Sequence, residues 1–136
     1  MDEKTLSQVV ASFQRCGAKD SFLERFYEMF VASSNVVAEK FRHTDLVHQR
    51  LVLKQSLQTL LACGDVPASG VIRAHLEHVA RRHSRAELGI QPELYDLWLD
   101  CLVAAVREHD AQYTEDLGQA WRDAMQAGIS FMRQRY

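Results

Sequence analysis

A chain of 136 residues, 47% hydrophobic and 25% charged, is long enough to bury one sizeable core, and its formal net charge of -2 leaves no basic field to draw a phosphate backbone or an anionic membrane. The opening MDEKTLSQ lacks the basic start and apolar stretch of a signal peptide, and no apolar run reaches bilayer-spanning length, so the expectation is a cytoplasmic protein with neither nucleic acid nor membrane as partner. Cys16, Cys63 and Cys101 are odd in number, far apart and without C-x-x-C spacing, which excludes a disulfide framework or zinc site as the organising principle and reads as small buried hydrophobes.

Apolar residues recur at three- and four-residue steps along nearly the whole chain, a helical period, and no segment reads as a strand. The first amphipathic segment runs from about Thr5 to Cys16 and stops at Gly17, with Asp20 or Ser21 available to cap the next. That second helix presents Phe22, Phe26, Tyr27 and Phe30 and ends near Ser33 and Ser34. A short segment follows from Val36 to Phe41, and Thr44-Asp45 has the pattern of a cap for a long helix whose stripe reads Leu46, Gln49, Leu53, Leu57 and Leu60. Gly64 to Gly70, with Pro67 and Ser69, is the clearest loop. The next helix aligns Ile72, Leu76, Val79 and His83 on one face. Gly89 and Pro92 break the chain, and Pro92 suits the opening of a helix that runs through Leu94, Trp98 and Cys101 to about Glu108. A last helix spans roughly Glu115 to Arg133. Six or so helices without linker or repeat predict an all-α fold, one domain over residues 1-136 built as a bundle or sandwich.

Five of the six histidines have ordinary settings. His43 and His48 stand among polar residues at a helix entrance, His75 and His78 alternate with charged neighbours, and His109 is at a helix end where a cation suits the dipole; all five read as surface or capping residues. His83 closes an apolar stripe just before a helix end, and an imidazole in an apolar groove needs a partner. Taken alone, such a histidine is more often a hydrogen-bonded core residue than a metal ligand.

Its surroundings carry further information. FLERFYEMF at Phe22 to Phe30, Phe41 followed by Arg42-His43-Thr44-Asp45, HQRLVLKQSL at His48 to Leu57, VARRH ending at His83, LGIQPELY at Leu88 to Tyr95 and AWRDAMQAGISFM at Ala120 to Met132 occur in this order and spacing. In that arrangement the chain resembles the globin family, in its bacterial single-domain and sensor-type forms. The resemblance implies a globin-like helical sandwich of six to eight helices around a haem pocket. It implies His83 as the ligand of the iron of haem b (iron protoporphyrin IX), and Phe41 as the ring stacked on the porphyrin. On the opposite face it places Tyr27, with Gln49 and Leu53 one turn apart, and a phenol and an amide can both donate to bound dioxygen. His48 is the rival for the position of Gln49. Phe30, Leu57, Val79, Leu88, Ile90, Tyr95 and Trp98 would complete the haem slot, with the Tyr95 hydroxyl bonding His83 or a nearby carbonyl and Arg82 pairing with a propionate.

By the same resemblance the partner is a diatomic gas, dioxygen, nitric oxide or carbon monoxide, for storage, scavenging, detoxification or sensing. Nitric oxide dioxygenase or peroxidase turnover would draw electrons from a separate reductase, and a homodimer through the last helices is consistent with the family. The chain departs from the common pattern in having Ser33-Ser34-Asn35-Val36 where many globins turn at a proline. The alternative is a haem-free helical interaction or regulatory module of the same fold.

Overall fold

The computed structural model describes residues 2–136. Seven helices follow one another: α1 (Glu3–Gly17), α2 (Ser21–Ser33), α3 (Asn35–Lys40), α4 (Leu46–Cys63), α5 (Gly70–His83), α6 (Glu93–His109) and α7 (Glu115–Gln134), with no strand among the described residues. The expected all-α architecture and the helix count are borne out.

The helix boundaries follow local chemistry. Asp45 accepts from the amides of Val47 at 3.1 Å and His48 at 3.3 Å, so the anticipated cap of α4 is formed. Gly64 ends the same helix with φ of 71°, a left-handed residue whose N–H returns to the carbonyl of Leu60. At the corner between α2 and α3, Ser34 caps α3, its hydroxyl accepting from the amide of Val36. One expectation fails: Asp20 occupies the start of α2, but its side chain makes no capping bond, because the chain is already helical there and Phe22 N–H reaches the carbonyl of Lys19.

Packing is uneven. Helices α2 and α6 form the closest pair, α7 lies against both α1 and α6, and between them they bury Phe22, Phe26, Leu102, Val106, Trp121 and Met125 completely or nearly so. Burial of such side chains, at roughly 25 cal/mol per Å² of apolar surface, is what holds this block together. A polar knot fastens it: the carboxylate of Asp110 accepts from Arg15 Nε at 2.7 Å, Arg15 Nη2 at 2.9 Å and Ser12 Oγ at 2.6 Å, while Trp121 Nε1 donates to Ser12 Oγ at 3.0 Å. Helices α1 and α7 and the loop after α6 are thereby joined, and every buried side-chain nitrogen and oxygen among the described residues has a hydrogen-bond partner.

His109 is the last residue of α6, at the helix end where it was expected, and it does more than cap. Its Nδ1 bonds the carbonyl of Ala105, its Nε2 lies 3.0 Å from Ser21 Oγ, and its ring meets Phe22 edge-on, so it stitches the end of α6 to the start of α2. Of the cysteines, Cys16 and Cys101 are buried as expected, whereas Cys63 is half-buried.

Helices α4 and α5 behave differently from the block. They scarcely touch each other, only Leu57 and Leu61 of α4 and Ala80 of α5 are buried, and Leu53 and Leu60 of α4, packed on the core, and Leu76 and Val79 of α5 are half-buried.

Candidate functional site

His83 is the last residue of α5, and the chain after it folds back over its end. The amides of Leu88, Ile90 and Gly89 return to the carbonyls of Arg82, His83 and Ser84 at 3.0, 3.0 and 2.8 Å. Gly89, at φ of 63°, supplies the left-handed turn this requires. The Nδ1 atom of His83 lies 2.7 Å from the carbonyl oxygen of Val79. With Nδ1–H donating to that carbonyl, Nε2 keeps its lone pair. Burial pushes the imidazole pKa below its ordinary 6.5, against the Val79 carbonyl, which favours the charged form, and with the help of nearby Arg82. The ring is therefore neutral at neutral pH.

A second group gathers around Tyr27. Its ring meets Phe41 edge-on at 5.6 Å and Phe26 at 4.9 Å; Phe41 meets Phe30 at 5.9 Å, Phe30 stacks on Phe26 at 5.5 Å, and Trp98 of α6 meets Phe26 at 6.0 Å. Positions 26, 27 and 30 share a face of α2, and Phe41, at the end of α3, brings its ring to them across the corner. Burial pushes the Tyr27 phenol up to about 12, opposed by the side chain of Gln49. The amide of Gln49 is thus close enough to act on the hydroxyl, although the pair stands short of a formed hydrogen bond. Gln49 is half-buried and its rival His48 is exposed.

Of the remaining residues singled out in the sequence, Leu57 and Tyr95 are buried, and Leu53, Val79, Ile90 and Trp98 are half-buried. Leu88 is 45% exposed and belongs to neither group. Arg82 is turned to Glu87, 3.2 Å away. The expected bond from the Tyr95 hydroxyl to His83 is not made: the Val79 carbonyl holds the ring instead, and burial raises the Tyr95 phenol to about 12. Phe26, absent from the expected site, is the centre of the aromatic cluster; its four-residue spacing from Phe30 was the available signal.

These residues fit a haem. A flat macrocycle brings four equatorial nitrogens of its own, and needs from the protein one neutral imidazole with a free nitrogen plus apolar walls. His83 supplies the first, and the half-exposed apolar faces of α4 and α5 with the Phe41 ring supply the second. Among the described residues no three His, Cys, Asp or Glu side chains converge to hold an ion without such help. No helix is long and apolar enough to cross a membrane.

Comparison with known proteins agrees with this architecture. The family profile described as Globin matches residues 24–132. The crystal structure of a Pseudomonas aeruginosa PAO1 protein, described as structurally highly homologous to a human hemoglobin, superposes with a TM-score of 0.88 at 38% sequence identity, covering 97% of this chain and 98% of that one. No curated protein matches. On the matched span and the shared fold, the chain belongs to the globin family.

Proposed function

We propose that residues 1-136 act as one cytoplasmic globin domain that holds haem b through His83 and binds dioxygen, nitric oxide or carbon monoxide beside Tyr27 and Gln49. The observation that carries this reading is the His83 imidazole, neutral and half-buried at the end of α5, with Nδ1 engaged by Val79 and Nε2 left as a donor of its lone pair. When bound, the haem supplies an iron that takes a diatomic gas as ligand. Everything else is the work of the chain. Val79 orients the imidazole through its carbonyl and raises its basicity. Phe30, Phe41, Leu53, Leu57, Ile90 and Trp98 exclude water and wall the slot. Tyr95 backs the slot from α6, and Leu88 and Arg82 stand at its rim, where Arg82 would exchange Glu87 for a propionate.

Tyr27 keeps its proton at any ordinary pH and so remains a hydrogen-bond donor, and the amide of Gln49 offers a second. Two donors to a partly negative ligand slow its release, which suits scavenging or sensing better than bulk delivery. Turnover of nitric oxide or peroxide would take electrons from a separate reductase.

The deciding experiment is an ultraviolet-visible spectrum of the ferrous protein with and without carbon monoxide, for the parent and His83→Ala side by side. A Soret band that carbon monoxide shifts in the parent, and that is lost or strongly altered in the variant, is the expected result. A colourless parent that takes up no added haem would sink the reading in favour of a haem-free helical module.

A further inference from the structure

The segment after His83 directs its backbone groups to two different helices. The amides of Leu88, Gly89 and Ile90 bond the carbonyls of Arg82, Ser84 and His83, which fastens the segment to the end of α5. The carbonyl of Leu88 accepts instead from Lys40 Nζ at 3.1 Å, across 48 positions of sequence. Lys40 is the half-buried last residue of α3, and the residue after it, Phe41, carries the ring that meets Tyr27 at 5.6 Å and Phe30 at 5.9 Å.

A surface lysine usually contributes little, because ordering its four-carbon stem offsets most of the bond. Here the two ends it joins differ in firmness. The α3 corner is well held: the Phe41 amide bonds the carbonyl of Val37, a fully buried residue, and the Phe41 carbonyl accepts from the Thr44 amide. Helix α5 buries only Ala80 and packs chiefly on α7. The stretch that follows it reaches Tyr136 through the Arg85 amide and the core through Ile90. Toward α3 its hydrogen bond, among the described residues, is the one from Lys40. A charged donor on a carbonyl makes a stronger bond than a neutral one, and it acts where little else opposes movement. From Leu88 the connection to the histidine is short, since Ile90 N–H bonds the His83 carbonyl at 3.0 Å.

We infer that Lys40 is a clasp: by holding the Leu88 carbonyl it fixes the end of α5 against the Phe41 corner, and so sets the placement of the His83 ring. Lys40 is thus a positioning residue that acts on His83 through residues 88–90. The clasp stands on the Lys40 bond alone, whereas its effect on an iron-bound imidazole rests on the haem reading above. Arg82, nearer in sequence, does not do this work, because its guanidinium is turned to Glu87.

Lys40→Met keeps the stem and removes the donor, Lys40→Arg restores a donor, and Arg42→Met, which loses only an exposed pair with Glu39, is the control. In the purified full chain, amide exchange at Leu88, Gly89 and Ile90 by NMR should speed up roughly tenfold in Lys40→Met, return toward the parent in Lys40→Arg, and stay unchanged in Arg42→Met. In the ferrous, gas-free protein, the iron–histidine stretching band in resonance Raman should shift in Lys40→Met and return in Lys40→Arg. Exchange equal to the parent's in Lys40→Met, or accelerated equally in α2 and α6, overturns the clasp. Local acceleration with an unmoved iron–histidine band overturns the positioning of His83. A chain that shows no Soret band overturns the haem reading and the positioning with it, and amide exchange still decides the clasp.

Discussion

The Nδ1 atom of His83 lies 2.7 Å from the carbonyl oxygen of Val79, the residue one helical turn before it on α5. That single bond determines which ring nitrogen faces outward, since the carbonyl can only accept and Nδ1 must then carry the proton. In the haem-free chain, ¹⁵N spectroscopy of the imidazole at neutral pH should find the Nδ1–H tautomer. An Nε2–H ring would mean that the Val79 carbonyl does not hold it.

The environment of Tyr27 predicts how dioxygen and carbon monoxide part company. A phenol raised to about 12 donates across the whole accessible pH range. On the proposed haem reading Tyr27→Phe would remove a bond to a partly charged ligand, about 1.5 to 3 kcal/mol, so dioxygen should dissociate roughly 10- to 100-fold faster by stopped flow. The loss for carbon monoxide, which carries little charge, should be far smaller. Equal effects on both gases would point to a change of packing instead.

Asp110 gives the fold its acid limit. Burial works to raise its carboxyl, and the Arg15 guanidinium, the Ser12 hydroxyl and the Gln112 amide outweigh burial and hold it at about 2, against an ordinary 3.8. The folded chain thus binds this proton more weakly than the unfolded one. Its stabilisation is full above about 3.8 and drains away as the pH falls through about 2. Asp110→Ala should cost about 3 kcal/mol in urea unfolding at neutral pH, because the Ser12 hydroxyl and the Arg15 guanidinium lose their acceptor. The variant should also lose the parent's stability slope across that acid window.

On the same proposed reading, Arg135 should govern haem retention. It bonds Glu77 through Nε at 2.9 Å and Nη2 at 3.0 Å, and its guanidinium lies 3.6 Å from the centre of the Phe131 ring. Glu77 is on α5, nearly two turns before His83, so this contact with the residue that ends α7 is one of the few that hold the histidine's helix in place. Arg135→Ala should speed haem transfer to an excess of a haem-scavenging protein while leaving far-ultraviolet circular dichroism nearly unchanged. A transfer rate equal to the parent's would show that the bound group alone positions α5.

What was legible in the chain was what repeats locally. The three- and four-residue steps of α2, α4 and α5, the Asp45 cap, the Gly64 stop and the Pro92 opening each lie within one or two turns of sequence, and each is found in place. Side chains whose partners are remote were illegible for the converse reason. Ser12, Arg15, Asp110 and Trp121 meet across more than ninety residues, and nothing near any of them announces the others. His109 has the same explanation, since its partner Ser21 is on a different helix. Tyr95 was misjudged through proximity in sequence: a hydroxyl twelve positions from His83 has no advantage over a carbonyl one turn away on the same helix.

The scant contact between α4 and α5 bears on how the molecule is assembled. With α1, α2, α6 and α7 sharing most of the buried apolar side chains, the chain has a four-helix scaffold to which α4 is held by Leu53, Leu57, Leu60 and Leu61, and α5 by little beyond Ala80 and its contact with α7. Hydrogen exchange should divide along that line, slow in the scaffold and fast in α5. A ligand that fills the space between α4 and α5 would complete the second tier, so that its supply, and not folding of the scaffold, governs how much of the chain escapes proteolysis.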